Sequence, residues 1–272
     1  MTPKDVFQDS FRIAELLLHL HRLLENDGLV TEGNMVTGLR EMLGTAPDEQ
    51  LQLVLNSVFL GCIREQAGVP TATWKPQSLS NLLRQAVVSG CTAYETYLSS
   101  VLAKHIYTVI EIKQHEFFPN DARVIEYFGE LSFSIGEAFR LLSLAERAVL
   151  LGTKIVTFVQ KKNLGSVTGL KTVGLLLGMD SPWDQVAQQL NRERKDITNS
   201  VAECIERRNA IVHRADRKLD NADMDKEPIG FAWTRQAVDT IGHVCLAFDE
   251  LVANRMRQFQ ETLDARKEVA HG

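Results

Sequence analysis

Within the window DITNSVAECIERRNAIVHRADRKL, residues 196–219, a guanidinium, a carboxamide and an imidazole fall close together along one expected helix. On a helical projection, Val186, Leu190, Ile197, Val201, Cys204, Arg208 and Ile211 form one stripe at three- and four-residue steps. Arg208 therefore stands on the face expected to be buried. An unpaired guanidinium is costly there, so it needs an acidic partner, a subunit interface or a ligand phosphate. Asn209 and His213 are four residues apart and lie one above the other at the edge of the stripe. Arg208 and His213 are about 140° apart around the axis, within reach of one pocket for a long arginine side chain. Taken alone, these residues favour a structural Arg–acid pair with a histidine near a helix end. They are also the groups that RNA cleavage asks for. RNA carries its own nucleophile, the 2′-OH, so cutting it needs a proton carrier and a cation for the charge that builds on phosphate oxygens. An imidazole titrates near neutral pH and fits the first role, and a guanidinium fits the second.

Local charge agrees with an anionic ligand. Between Arg192 and Lys218 there are eight Lys or Arg and five Asp or Glu, a positive excess in a chain whose net charge is −5. Bulk attraction to nucleic acid is therefore not available, any contact must be a local patch, and this mixed-charge stretch is the best candidate for one. Arg207, Arg214 and Arg217 are its candidate phosphate contacts.

The elements that must position these groups read as helices. The chain has 272 residues, 44% hydrophobic and 24% charged, which suits an ordinary globular core, and only 7 prolines interrupt it. The longest helical face runs from about 78 to 112, with Leu79, Leu83, Val87, Cys91, Tyr94, Leu98, Val101 and Ile106 among its apolar positions. A second long helix is predicted from about 182 to 213, opened by Ser181 and Pro182. A third runs from about 234 to 268. Shorter helices are expected over 4–26, 48–66, 134–150 and 166–177, the last two separated by Gly152 and the KKN of 161–163. No run alternates with period two, so the fold class is all-α. The expected organisation is an N-terminal helical segment, 1–66, a linker at 67–77 and a helical domain over 78–270. No leader or membrane-length apolar stretch is read in the chain, so a cytoplasmic location is expected. Cys62, Cys91, Cys204 and Cys245 show no CxxC spacing and read as reduced, buried thiols.

RNAIVH, 208–213, has the pattern R-N-x-x-x-H near the end of a long helix. With AYETYL at 93–98, SPW at 181–183, the Ala-Asp that follows His213 and Arg214, and a terminal helix begun by WTRQAVDTIGHV, it resembles the HEPN domains, and in layout their RiboL-PSP-HEPN branch. The resemblance covers roughly 78–268, and residues 1–75 match only loosely. It implies a HEPN-type helical bundle, here with an N-terminal accessory segment. It also implies a metal-independent endoribonuclease without a cofactor, a homodimer that joins two motif helices across one cleft, and a role as toxin or antiphage effector with an antitoxin or defence partner. By carry-over Arg208 and His213 are the catalytic pair, Asn209 is a positioner and Glu95 an acidic partner. In relatives silenced through a tyrosine two residues after the histidine the motif is H-x-Y; Ala215 stands there in this chain, which puts that route in doubt.

Other readings stand beside this one. Glu95 is equally a solvated helix residue, and Asp216 reads more as a loop-folding residue than a chemical one. Tyr94, Tyr97 and Tyr107 read as packing and Trp183 as a helix-start anchor. His105 and His115 share no face with ligand-spaced partners, so no metal site is expected. The sequence has no GxxxxGK[ST], GxGxxG or GxSxG motif, which leaves nucleotide-driven and triad enzymes without support. A HEPN module that binds RNA or nucleotide without cutting it, and a helical adaptor, are the alternatives to the nuclease.

Overall fold

A computed structural model describes residues 1–25, 71–113, 125–126, 128–162, 164–217 and 226–271. The fold is all-α. The described residues form eight helices: α1 (Pro3–Glu25), α2 (Thr71–Lys113), α3 (Ile135–Arg140), α4 (Leu144–Lys161), α5 (Val167–Leu176), α6 (Pro182–Gln189), α7 (Arg194–Arg214) and α8 (Phe231–His271). Their only extended pairing is an isolated antiparallel bridge between Arg217 and Lys226. None of the helices is long and apolar enough to cross a membrane, among the described residues.

Four expectations about the elements change. The helix expected over 134–150 is broken at 141–143 into α3 and α4. The helix expected over 182–213 is two helices, because Asn191 adopts a left-handed conformation (φ 50°) that ends α6. Asparagine tolerates that region better than most residues, and its apolar neighbours gave no sign of it. Gly152 does not separate helices: α4 runs through it, and a Cβ there would lie 2.7 Å from the Tyr107 ring. This glycine allows a close approach rather than a turn. Finally, α2 begins at Thr71, inside the stretch expected as linker. Pro76 is the sixth residue of the helix, where it removes one intrahelical hydrogen bond, yet the helix runs through it. The helix expected over 48–66, and residues 67–70, lie outside the described residues.

The chain divides into two compact units that share no simple sequence boundary. The first comprises Met1–Ser10, Cys91–Glu206 and Asp239–Gly272. Its core is aromatic at the centre: the buried Tyr97 ring meets Phe7 edge-on at 5.6 Å and Phe248 at 6.4 Å. Its hydroxyl donates to Asp249 Oδ1 at 3.1 Å, which satisfies the polar end of an otherwise apolar side chain. Tyr94 is equally buried and donates to the Ser166 carbonyl. Trp183, buried at the start of α6, donates from its indole nitrogen to the Val167 carbonyl at 2.9 Å. Along α7 the stripe read from sequence is buried at Ile197, Val201 and Cys204.

The second unit comprises Phe11–Gly90 and Arg207–Val238. Ala14 and Leu18 of α1, Leu83 and Ala86 of α2 and Val238 of α8 form its cluster, flanked by Phe11, Leu17, Ile229 and Phe231. His21 stacks on Phe231 with centroids 5.4 Å apart. The first helix contributes Phe7 to the core of the first unit and Ala14 and Leu18 to the cluster of the second.

Cys91 and Cys204, distant in sequence, meet with their sulfurs 3.4 Å apart, and both are free thiols, as is the buried Cys245. The hydrogen bond with Cys91, then burial, raises the Cys204 thiol well above its usual range, and burial does the same to Cys245. Thiolates are the reactive form, so these side chains should be inert in the folded chain. Of the four cysteines, no more than one should react with a chromogenic disulfide reagent before denaturant is added; rapid reaction of two or more would contradict this core.

Burial, and next the neighbouring Lys104, lower the His105 imidazole from 6.5 to about 4. The folded chain therefore favours its neutral form. Stability from this preference is complete above about pH 6.5 and is lost as the pH falls toward 4. In thermal melts, His105→Gln should gain on the unaltered chain as pH is lowered through this window; a difference independent of pH would exclude the effect.

Candidate functional site

The last two turns of α7 carry the RNAIVH motif, and all of its residues belong to the second unit. Val201 and Cys204 anchor the preceding turns in the apolar interior, which fixes the rotation of the helix. That rotation leaves His213 exposed and Arg208 and Asn209 half-buried. The Arg208 Nη1 donates to the Asn209 Oδ1 at 3.1 Å, so the motif asparagine holds the motif arginine directly. Val212, beside His213, is half exposed, and Arg214 is exposed. An open imidazole and a tethered guanidinium on one helix end can transfer a proton and bind an oxyanion.

The acid expected to serve this region is placed, and it organises more than a loop. Asp216 is buried, with a side chain that is 0% exposed, and its Oδ2 accepts from Arg84 Nε at 2.6 Å and from Arg207 Nη2 at 2.8 Å. Arg207 reaches further, to Glu227 Oε2 at 3.1 Å and to the carbonyls of Glu227 and Pro228. Its guanidinium also lies over the Trp233 ring, 5.9 Å from the centroid. The second cation, Arg84, donates in addition to the Glu227 carbonyl at 2.8 Å. A structural Arg–acid pair thus exists here on Arg207, the neighbour of the residue for which it was weighed.

This revises the expectation that Arg207 is a phosphate contact. Its side chain is 15% exposed and engaged by two carboxylates and two carbonyls. A planar five-donor fork suits such multiple acceptance, which a lysine could not reproduce. Arg214 and Arg217 remain exposed at the helix end and in the turn beyond it.

Sequence reasoning missed Arg84. The available signal was its place between Leu83 and Ala86 on the apolar face of α2, where a guanidinium demands an anion. Nothing in the sequence said which anion, since Asp216 lies 132 residues away.

The turn that delivers Asp216 is unusual. Ala215 and Asp216 both have positive φ, 51° and 62°, and the Asp216 amide donates back to the Ala210 carbonyl. Two successive non-glycine residues in the left-handed region cost roughly 1–2 kcal/mol each, which the buried ion pairs must offset. The remaining expected residue, Glu95, belongs to the first unit. It is half-buried on α2 and lines a cavity of about 300 Å³ with Thr92, Thr96, Ser99, Gln160 and Lys162. Among the described residues, no three His, Cys, Asp or Glu side chains cluster as a metal-ion site.

Removing Asp216 would leave two guanidinium groups facing each other without their shared anion. Asp216→Ala should lower stability by about 3–5 kcal/mol, against about 0.5 kcal/mol or less for the exposed Arg214→Ala. Chemical denaturation of the two variants checks this, and similar midpoints would show that the network is not a stabilising element. Comparisons with family models, with curated proteins and with solved structures find no match for this chain.

Proposed function

We propose that this chain is a metal-independent endoribonuclease of the HEPN type, acting in the cytoplasm as a toxin or antiphage effector under the control of an antitoxin or defence partner. The single observation that carries the reading is the make-up of the end of α7: an exposed His213 on the same helix end as an Arg208 that donates to Asn209.

In this mechanism the His213 imidazole takes the proton of the 2′-OH or returns one to the leaving 5′-oxygen. Arg208 binds the non-bridging oxygens as negative charge accumulates, and Asn209 limits its rotamers beforehand. A homodimer supplies two such sets around one phosphate, so that one imidazole acts as base and the other as acid. Arg214 and Arg217 hold the flanking backbone as point charges. The products are a 2′,3′-cyclic phosphate and a 5′-OH.

Purified full-length chain should cut single-stranded RNA in the presence of EDTA. His213→Ala and Arg208→Ala should each slow cleavage by about 10²-fold or more. The exposed His213→Ala should do so without a shift in thermal midpoint, and it should also relieve growth arrest on induction. Undiminished cutting by His213→Ala, or cutting abolished by EDTA, would overturn the proposal.

A further inference from the structure

One helix of the first unit, α3, keeps its large apolar side chains out of the core. Ile135, Phe139 and Leu142 fall at steps of four and three along α3 and the turn that continues it, so they share one face. They are 79%, 69% and 74% exposed, and none of the six residues of α3 is buried. Single exposed apolar residues are ordinary; three of this size on one face mark an interaction surface.

Polar bonds, rather than apolar burial, hold this helix in place. A capping box closes its start: Ser134 Oγ accepts from the Glu137 amide, and Glu137 Oε2 accepts from the Ser134 amide at 2.8 Å. Glu137 Oε1 also meets Lys154 Nζ of α4 at 2.8 Å, and Arg140 Nε meets Glu146 Oε2 at 2.5 Å. Beyond the helix end, Arg147 Nε donates to the Leu141 carbonyl. A helix this short is not stable by itself, and it gains nothing from its outward Ile135 and Phe139 until something covers them.

Size and charge name the partner. The three side chains present roughly 400 Å² of apolar surface. One side of a standard protein–protein interface buries about 800 Å², somewhat more than half of it non-polar, so this face is large enough to form the centre of one. The charges beside it have both signs, Glu137 and Glu146 against Arg140 and Lys154, and sum to zero. An anionic lipid surface would call for an excess of cations there. A neutral rim of both signs is instead complementary to itself, because a two-fold axis lets each cation of one copy face an anion of the other. We propose that the α3 face pairs with the same face of a second copy of this chain. Phe139 and Leu142 lie at the centre of the contact, and Arg140 and Glu146 at its rim. Residues 208–213 belong to the second unit, and this contact neither uses them nor rests on the nuclease reading.

Light scattering after size-exclusion chromatography reads the assembly of the full chain at tens of micromolar. The unaltered chain should contain at least two copies, and Phe139→Glu with Leu142→Glu should halve the copy number. The helical circular-dichroism signal should persist in that variant, since neither residue is buried. Phe139→Ala should weaken association about tenfold, and it keeps the test open if the double variant fails to fold. Ile13→Glu puts the same charge on another exposed apolar residue, in the second unit, and should leave the copy number intact. Vesicles of phosphatidylcholine and phosphatidylglycerol should not sediment the chain. The assignment is overturned if the unaltered chain is monomeric, or if its copy number survives both the double substitution and Phe139→Ala. It is overturned equally if Ile13→Glu halves the copy number, or if the vesicles carry down the unaltered chain but not the double variant.

Discussion

Asp216 holds the end of the motif helix in place. A carboxylate removed from water is tolerable only when cations and hydrogen bonds replace its hydration, and here two guanidinium groups reach a single oxygen. Each arginine also reaches the Glu227 carbonyl, so one acid draws together α2, the end of α7 and the segment that leads into α8. The backbone follows the charges. Ala215 and Asp216 turn left-handed, and the Glu227 amide donates to the Asp216 carbonyl at 2.8 Å, which closes the loop on itself. Without the buried pairs, that turn would be an unfavourable conformation with nothing to hold it.

The network also decides which charges face solvent. Arg84 and Arg207 are matched by Asp216 and Glu227, so the four side chains sum to zero. The positive excess read along this stretch of sequence is therefore not all available to a ligand. The side chains exposed at the helix end are His213 and Arg214, with Arg217 in the turn beyond. The division follows from burial: two cations serve the architecture because a forked donor suits the buried Asp216 carboxylate.

Much of this was legible in the sequence, and the parts that were not share a cause. Helix periods placed α2, α7 and α8 because their apolar stripes are long and regular, and Ile197, Val201 and Cys204 are buried as the stripe requires. The break at Asn191 was invisible because a single left-handed residue leaves the apolar spacing on either side nearly unchanged. Gly152 misled because a glycine that admits a neighbouring ring looks, in sequence, like one that ends a helix. The Cys91–Cys204 contact and the Arg84–Asp216 pair were beyond reach for another reason. Each joins residues more than a hundred positions apart, and local pattern shows that a partner is needed without naming it.

The position of the candidate pair at the carboxyl end of α7 adds one constraint. The last carbonyls of a helix carry partial negative charge, so this end repels a phosphate where the opposite end would attract it. Cations are favoured there, and the last turn carries His213 and Arg214. Attraction of a polyanion to this site must therefore come wholly from side chains, and it must first overcome the helix field. Arg208 is the residue best suited to that task. It lies more than a turn back from the carbonyl end, and its guanidinium donates to Asn209. The ion network thus commits Arg207 of the adjacent pair to the fold's own buried anion, Asp216.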